Sequence, residues 1–256
     1  VALRTNVTTV INMPAVLTTS LAMSLVPAVS AARRRHNLGS VRSISITAIK
    51  LSMIVGLPCA AGLFVLSRQV IDFLYDITPD RLAIAASLMR ISAVGVVFLS
   101  LVQTLTGIIQ GLGKQQVPVF NLAAGALVKV ILMLTLMRNP DINIDGAAIA
   151  TVACYAVAGV LDLLYLTRLA RLRIRIWELF GKPLVASLLM GGVTYLAEAA
   201  LSNMLGTTSL STLLSVGVGV VVYAALVLLL RMFSPDDLRR IPGGARLNLS
   251  LIHISE

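Results

Sequence analysis

Long apolar runs dominate this chain, and their spacing sets its architecture before any single residue is considered. A helix that crosses a bilayer needs about 20 mostly apolar residues to span a hydrocarbon core about 30 Å thick. Seven stretches meet that requirement, at about 6–31, 48–74, 82–111, 116–137, 146–167, 183–203 and 209–231. The runs are continuous and do not alternate residue by residue, so they predict helices and not barrel strands. The expected fold class is an all-α integral membrane protein. Pro14, Pro27 and Pro58 fall inside the first two spans, where proline removes a backbone donor and favours a bend.

Composition agrees with the pattern: of 256 residues, 57% are hydrophobic and 12% charged, with mean hydropathy +0.93. Soluble domains are about 25% charged. A net charge of +10 raises nucleic acid as a partner, but cationic residues grouped between membrane spans are an orientation signal. No nucleic-acid partner is expected. Fifteen Lys and Arg fall in alternate connections, including Arg33–Arg35, Arg42, Lys114, Arg168, Arg171 and Lys182, against four on the other side. That bias places the N-terminus outside and the C-terminus in the cytoplasm.

The chain divides into five spans over residues 1–168, a basic linker at 169–182, two more spans at 183–232 and a cytoplasmic tail at 233–256. The linker, with Arg168, Arg171 and Arg175 on one helical face and Leu169, Leu172, Ile176 and Leu179 on another, predicts a short helix lying in the membrane interface; a plain basic loop is the alternative. The chain starts at Val1 and reads as a piece of a longer protein. Its last residues, LNLSLIHISE, resemble a translated cloning scar.

Polar residues inside apolar spans are where chemistry is expected, because burying them is costly. Lys129 lies near mid-depth of the fourth span, with Gly125 and Asn121 one and two turns before it on the same stripe. Three readings are open: a cation facing an aqueous cavity, a structural ion pair, or a side chain reaching out to the interface. In the third span Gln103, Gly107, Gln110 and Lys114 share one face, with Arg90 nearly opposite to Gln103. GIIQG there is also a small-xxx-small packing motif. Asp162 and Glu198 are acids within spans and read as structural partners or as holders of a coupling ion.

Soluble-enzyme signals fail. QGLGK lacks the first Gly of a phosphate loop, position 108 being Ile, and no Ser or Thr follows Lys114. Cys59 and Cys154 lie inside apolar segments, with neither metal-ligand spacing nor a disulfide framework. No catalytic residue, metal ligand or cofactor is expected.

Four stretches, INMPAVLTTSLAMSLVPAVSAA, GLPCAAGLFVLSRQVIDFLY, GIIQGLGKQQVPVFNLAAGALVKVILMLTLM and INIDGAAIATVACYAVAGVLDLLYL, occur in that order. They resemble the C-terminal half of stage V sporulation protein B-like polysaccharide flippases, of the multidrug/oligosaccharidyl-lipid/polysaccharide (MATE-like) exporter superfamily. The resemblance covers about residues 5–231. It implies two helical lobes facing a central cavity, with two further helices after them. This chain would then carry most of the second lobe and those last helices, and its partners would be the first lobe of the same protein, membrane lipid and a lipid-linked saccharide. The resemblance further implies that Lys129 faces the substrate's diphosphate; Asn121, Arg90, Gln103 and Gln110 complete the candidate substrate-binding set. Rival expectations are a cation-coupled multidrug exporter of the same superfamily, an integral membrane glycan enzyme, and a scaffold subunit without transport.

Overall fold

A computed structural model describes residues 2–75, 78–136, 143–172, 175–205, 209–230 and 232. The tail expected at 233–256 lies outside them. The described chain is all-helical: α1 (Ala2–Arg34), α2 (Leu38–Val65), α3 (Ser67–Tyr75), α4 (Pro79–Gly111), α5 (Gln116–Leu136), α6 (Asn143–Ala170), α7 (Lys182–Leu205) and α8 (Ser209–Leu229). Among the described residues, seven helices are long and apolar enough to cross a membrane. The eighth, α3, is short and amphipathic: Ser67 and Ile71 are buried, while Arg68, Asp72 and Phe73 are exposed.

The second span differs from its sequence expectation. α2 starts ten residues earlier than the apolar run, because Asn37 caps it and its side chain accepts from the Ser40 amide. It ends at Val65, and the residues expected to continue it form α3. Apolar length alone does not register a cap or a break at Leu66. Pro14, Pro27 and Pro58 all lie inside unbroken helices. Within the spans, Ser45, Ser100, Thr151, Ser187 and Thr194 each return their hydroxyl to a carbonyl four residues back, which satisfies them without water.

The main core joins α1, α2, α4 and α6 around Val29, Ile49, Met53, Leu105, Ile109 and Leu166. Close approach depends on glycine. A Cβ on Gly107 would stand 2.6 Å from the Ala22 carbonyl oxygen of α1, and one on Gly111 would stand 2.8 Å from Val29. The GIIQG motif is therefore a packing seam between α4 and α1. Gly125 plays the same part between α5 and α6, where a Cβ would meet the Cys154 carbonyl oxygen at 2.5 Å.

Basic side chains gather at one end of the bundle and satisfy helix C-termini there. Arg33 Nη1 donates to the Leu112 carbonyl beyond α4, and Arg42 Nε donates to the Ala170 carbonyl at the end of α6, at 2.8 Å. A helix's last carbonyls lack intrahelical partners and carry partial negative charge, so these arginines tie the α1–α2 connection to two neighbouring helices. The linker is not one helix. α6 continues to Ala170, Arg171 turns at φ 48°, and a wide π turn, Trp177–Gly181, leads directly into α7. The positive φ rotates Arg171 off the face it would share with Arg168 in a continuous helix.

Candidate functional site

α1, α4, α5 and α6 border a partly open cavity of about 200 Å³. It lies towards the end where α1 and α6 begin, away from the arginine-capped end. Lys129 enters it from α5, Asn12 from α1, Ser92 from α4, and Thr151 and Tyr155 from α6. Each comes from an otherwise apolar helix, and the spacing Thr151/Tyr155 repeats the one-turn interval that puts two side chains on one face. Among the described residues, no acidic side chain lies within ion-pair distance of Lys129 and none lines the cavity. Lys129 is half-buried, and the lining sets hydroxyl, amide and phenol groups among apolar side chains such as Ile11, Leu88 and Val152.

The acids that could have paired with it are held elsewhere. Asp162 is 1% exposed and accepts from Asn121 Nδ2 at 2.7 Å, while its second carboxyl oxygen has no partner. Glu198 is 6% exposed and accepts from Ser215 Oγ at 2.6 Å, across α7 and α8. An interhelical hydrogen bond in a membrane averages about 0.6 kcal/mol and reaches about 1.7. Placing an ionised side chain at the centre of a span costs about 2.5–3.5 kcal/mol. Lys129, at mid-span, therefore occupies a costly position that packing alone does not explain, whereas Asp162 and Glu198 lie nearer the ends of α6 and α7 and are each met by a hydrogen bond.

The five candidate residues do not converge. Lys129 lines the cavity. Asn121 lies on the α5–α6 seam, bonded to Asp162. Gln103 accepts from the Thr18 hydroxyl of α1 and so belongs to the α1–α4 seam. Gln110 is exposed, and Arg90 is exposed with its Nε donating to Ser67 Oγ of α3 at 3.0 Å. Asn12, Ser92, Thr151 and Tyr155 were not singled out from the sequence. Their signal was present as polar residues at helical spacing inside apolar spans, but hydroxyls that bond their own helix give the same signal.

α1 also forms a wall of a second space. On a neighbouring face, Val10, Met13 and Leu17 border an apolar groove of about 660 Å³ between α1, α2, α3, α7 and α8. A cavity holding a cation and an apolar groove thus share one helix.

Seven membrane-length helices among the described residues, four of them bordering this cavity, make a multi-pass membrane protein with the helical fold of MATE-like transporters. The family model described as lipid II flippase MurJ matches residues 2–217, and the chain belongs to that family. It is 27% identical over 248 residues to the uncharacterized membrane protein YabM of Bacillus subtilis (strain 168), covering 93% of this chain and 44% of the relative. It is 25% identical over 240 residues to stage V sporulation protein B of the same organism, covering 93% and 45%. The chain therefore spans about half the length of the curated relatives it matches. Among solved structures, the inward closed conformation of lipid II flippase MurJ superposes with TM-score 0.64 at 18% identity, over 87% of this chain and 47% of the other. An inward-facing multidrug resistance MATE family transporter superposes with TM-score 0.55 at 14% identity, over 86% and 53%. These family and fold neighbours are flippases and transporters, not enzymes.

Proposed function

We propose that this chain is the second lobe, with two further helices, of a flippase that moves a lipid-linked saccharide or peptidoglycan precursor across the plasma membrane by alternating access. The observation that carries the reading is Lys129: an ammonium without an acidic partner among the described residues, facing a cavity from the middle of an apolar span. A diphosphate is the complement of such a charge. Asn12, Ser92 and Tyr155 supply hydrogen bonds to the same head group.

Alternating access needs a second lobe to rock against this one, and the first lobe of the same protein is the proposed partner. The basic connections face the cytoplasm and the start of α1 faces outside. A cation-coupled multidrug exporter of the same superfamily is the rival reading; it calls for carboxylates in the cavity, whereas Asp162 and Glu198 lie outside it.

The test is reconstitution of the full-length protein in liposomes with a fluorescent lipid-linked saccharide. Translocation by the full-length protein and none by the 256-residue chain is the expected result. Efflux of organic cations without movement of any lipid-linked saccharide would overturn the reading.

A further inference from the structure

At the end of the bundle opposite the arginine caps, α3 and the adjoining ends of α7 and α8 form a polar cup of about 540 Å³. Arg68 and Asp72, one turn apart on α3, enter it from one side; Glu198 enters from α7, and Ser211 and Thr212 from α8. Glu198 is buried, and one hydroxyl, that of Ser215, donates to it. Had Arg68 been placed to neutralise these acids, it would touch one of them. Among the described residues, neither Asp72 nor Glu198 has a Lys or Arg nitrogen within ion-pair distance. Unpaired charges of both signs therefore face one space.

The cup is continuous with the apolar groove. Phe73 lines both, Thr194 lies one turn from Glu198, and Val216 lies one turn from Thr212. Tyr195 and Phe73 are exposed aromatics at the same rim, as is common where a membrane meets water. A polar cup that opens into an apolar groove has the shape of a lipid, and its charges select the head group. A purely anionic head would face two carboxylates, and a purely cationic one would face Arg68.

We propose that this cup binds a zwitterionic glycerophospholipid bearing a primary ammonium, with its phosphate on Arg68, its ammonium on Glu198 and Asp72, and one acyl chain entering the groove. The site is independent of the Lys129 cavity and does not rest on the transport reading. A choline head carries the same charges but has no N–H to donate, and a glycerol head lacks the cation, so head-group chemistry separates recognition from general lipid solvation.

The experiment is a melting series of the full-length protein in detergent, supplemented with phosphatidylethanolamine, phosphatidylcholine or phosphatidylglycerol carrying identical acyl chains. The expected result is stabilisation by phosphatidylethanolamine at concentrations about tenfold lower than for the other two, the scale of one charge-assisted hydrogen bond. Glu198→Gln should abolish that preference, whereas Arg68→Gln should weaken stabilisation by all three lipids alike. Equal stabilisation of the wild-type protein by all three lipids would overturn the proposal without reference to any variant. Retention of the preference in a folded Arg68→Gln, Glu198→Gln double variant would overturn it too.

Discussion

Asn121 and Asp162 join α5 to α6 through a hydrogen bond from Nδ2 to Oδ1 at 2.7 Å. With Gly125 seated against the Cys154 carbonyl one turn on, the bond fixes the rotation of α5 about its axis. Lys129 then emerges a further turn along, where α5 and α6 border the cavity. The three residues form a stripe along the helix, but they act differently: one bonds, one permits contact and one faces open space.

Removing the donor of that bond should expose the cost of the buried carboxyl. Asn121→Leu is expected to lower stability by up to about 1.7 kcal/mol, with Asp162→Asn close to neutral because an amide can replace the carboxyl as acceptor. In an Asp162→Leu background, Asn121→Leu should cost much less. Thermal melting of the four proteins gives the coupling; equal costs of Asn121→Leu in both backgrounds would show that the bond does not connect the helices energetically.

Glycine at the seams makes a sharper contrast. Gly107→Ala and Gly125→Ala each push a Cβ against a backbone oxygen at 2.6 and 2.5 Å, and such overpacking costs about 1–3 kcal/mol. A Cβ on Gly192 meets nothing within 4 Å, so Gly192→Ala should be neutral or stabilise α7 by up to about 1 kcal/mol. Expression and melting temperature of the three variants check this. Equal behaviour would mean that α1–α4 and α5–α6 contacts are looser than described.

The basic connections predict the topology. Single cysteines at Ser40, beside Arg42 at the arginine-capped end, and at Thr207, which the sequence places between α7 and α8 and which lies outside the described residues, should label from opposite sides. An impermeant thiol reagent added outside is expected to reach position 207 and not position 40. The reverse pattern would invert the assignment.

The membrane spans were legible in the sequence because hydropathy integrates over some 20 residues and tolerates local exceptions. Their ends were not: the Asn37 cap and the break before Ser67 depend on single residues. Lys129 stood out because an ammonium is costly in any span. Gln103 and Gln110 shared a face on paper, yet that face meets α1 through Thr18, Ala22 and Val29, and no hydropathy profile tells a seam between helices from a cavity wall. Asp162 and Glu198 were visible as acids, but their partners, 41 and 17 residues away, are a product of folding.

The central claim is that the Lys129 ammonium holds the diphosphate of a lipid-linked saccharide. The most direct measurement is the affinity of the purified full-length protein for a polyprenyl diphosphate saccharide, in the wild type and in Lys129→Met, Lys129→Arg and Lys129→Glu. Lys129→Met keeps length and apolar packing while removing a costly charge, so it should fold at least as well as wild type yet bind about tenfold or more weakly, as expected for one lost charge-assisted contact. Lys129→Arg should retain part of the affinity, and Lys129→Glu should bind least. Wild-type affinity in well-folded Lys129→Met and Lys129→Glu proteins would contradict the account.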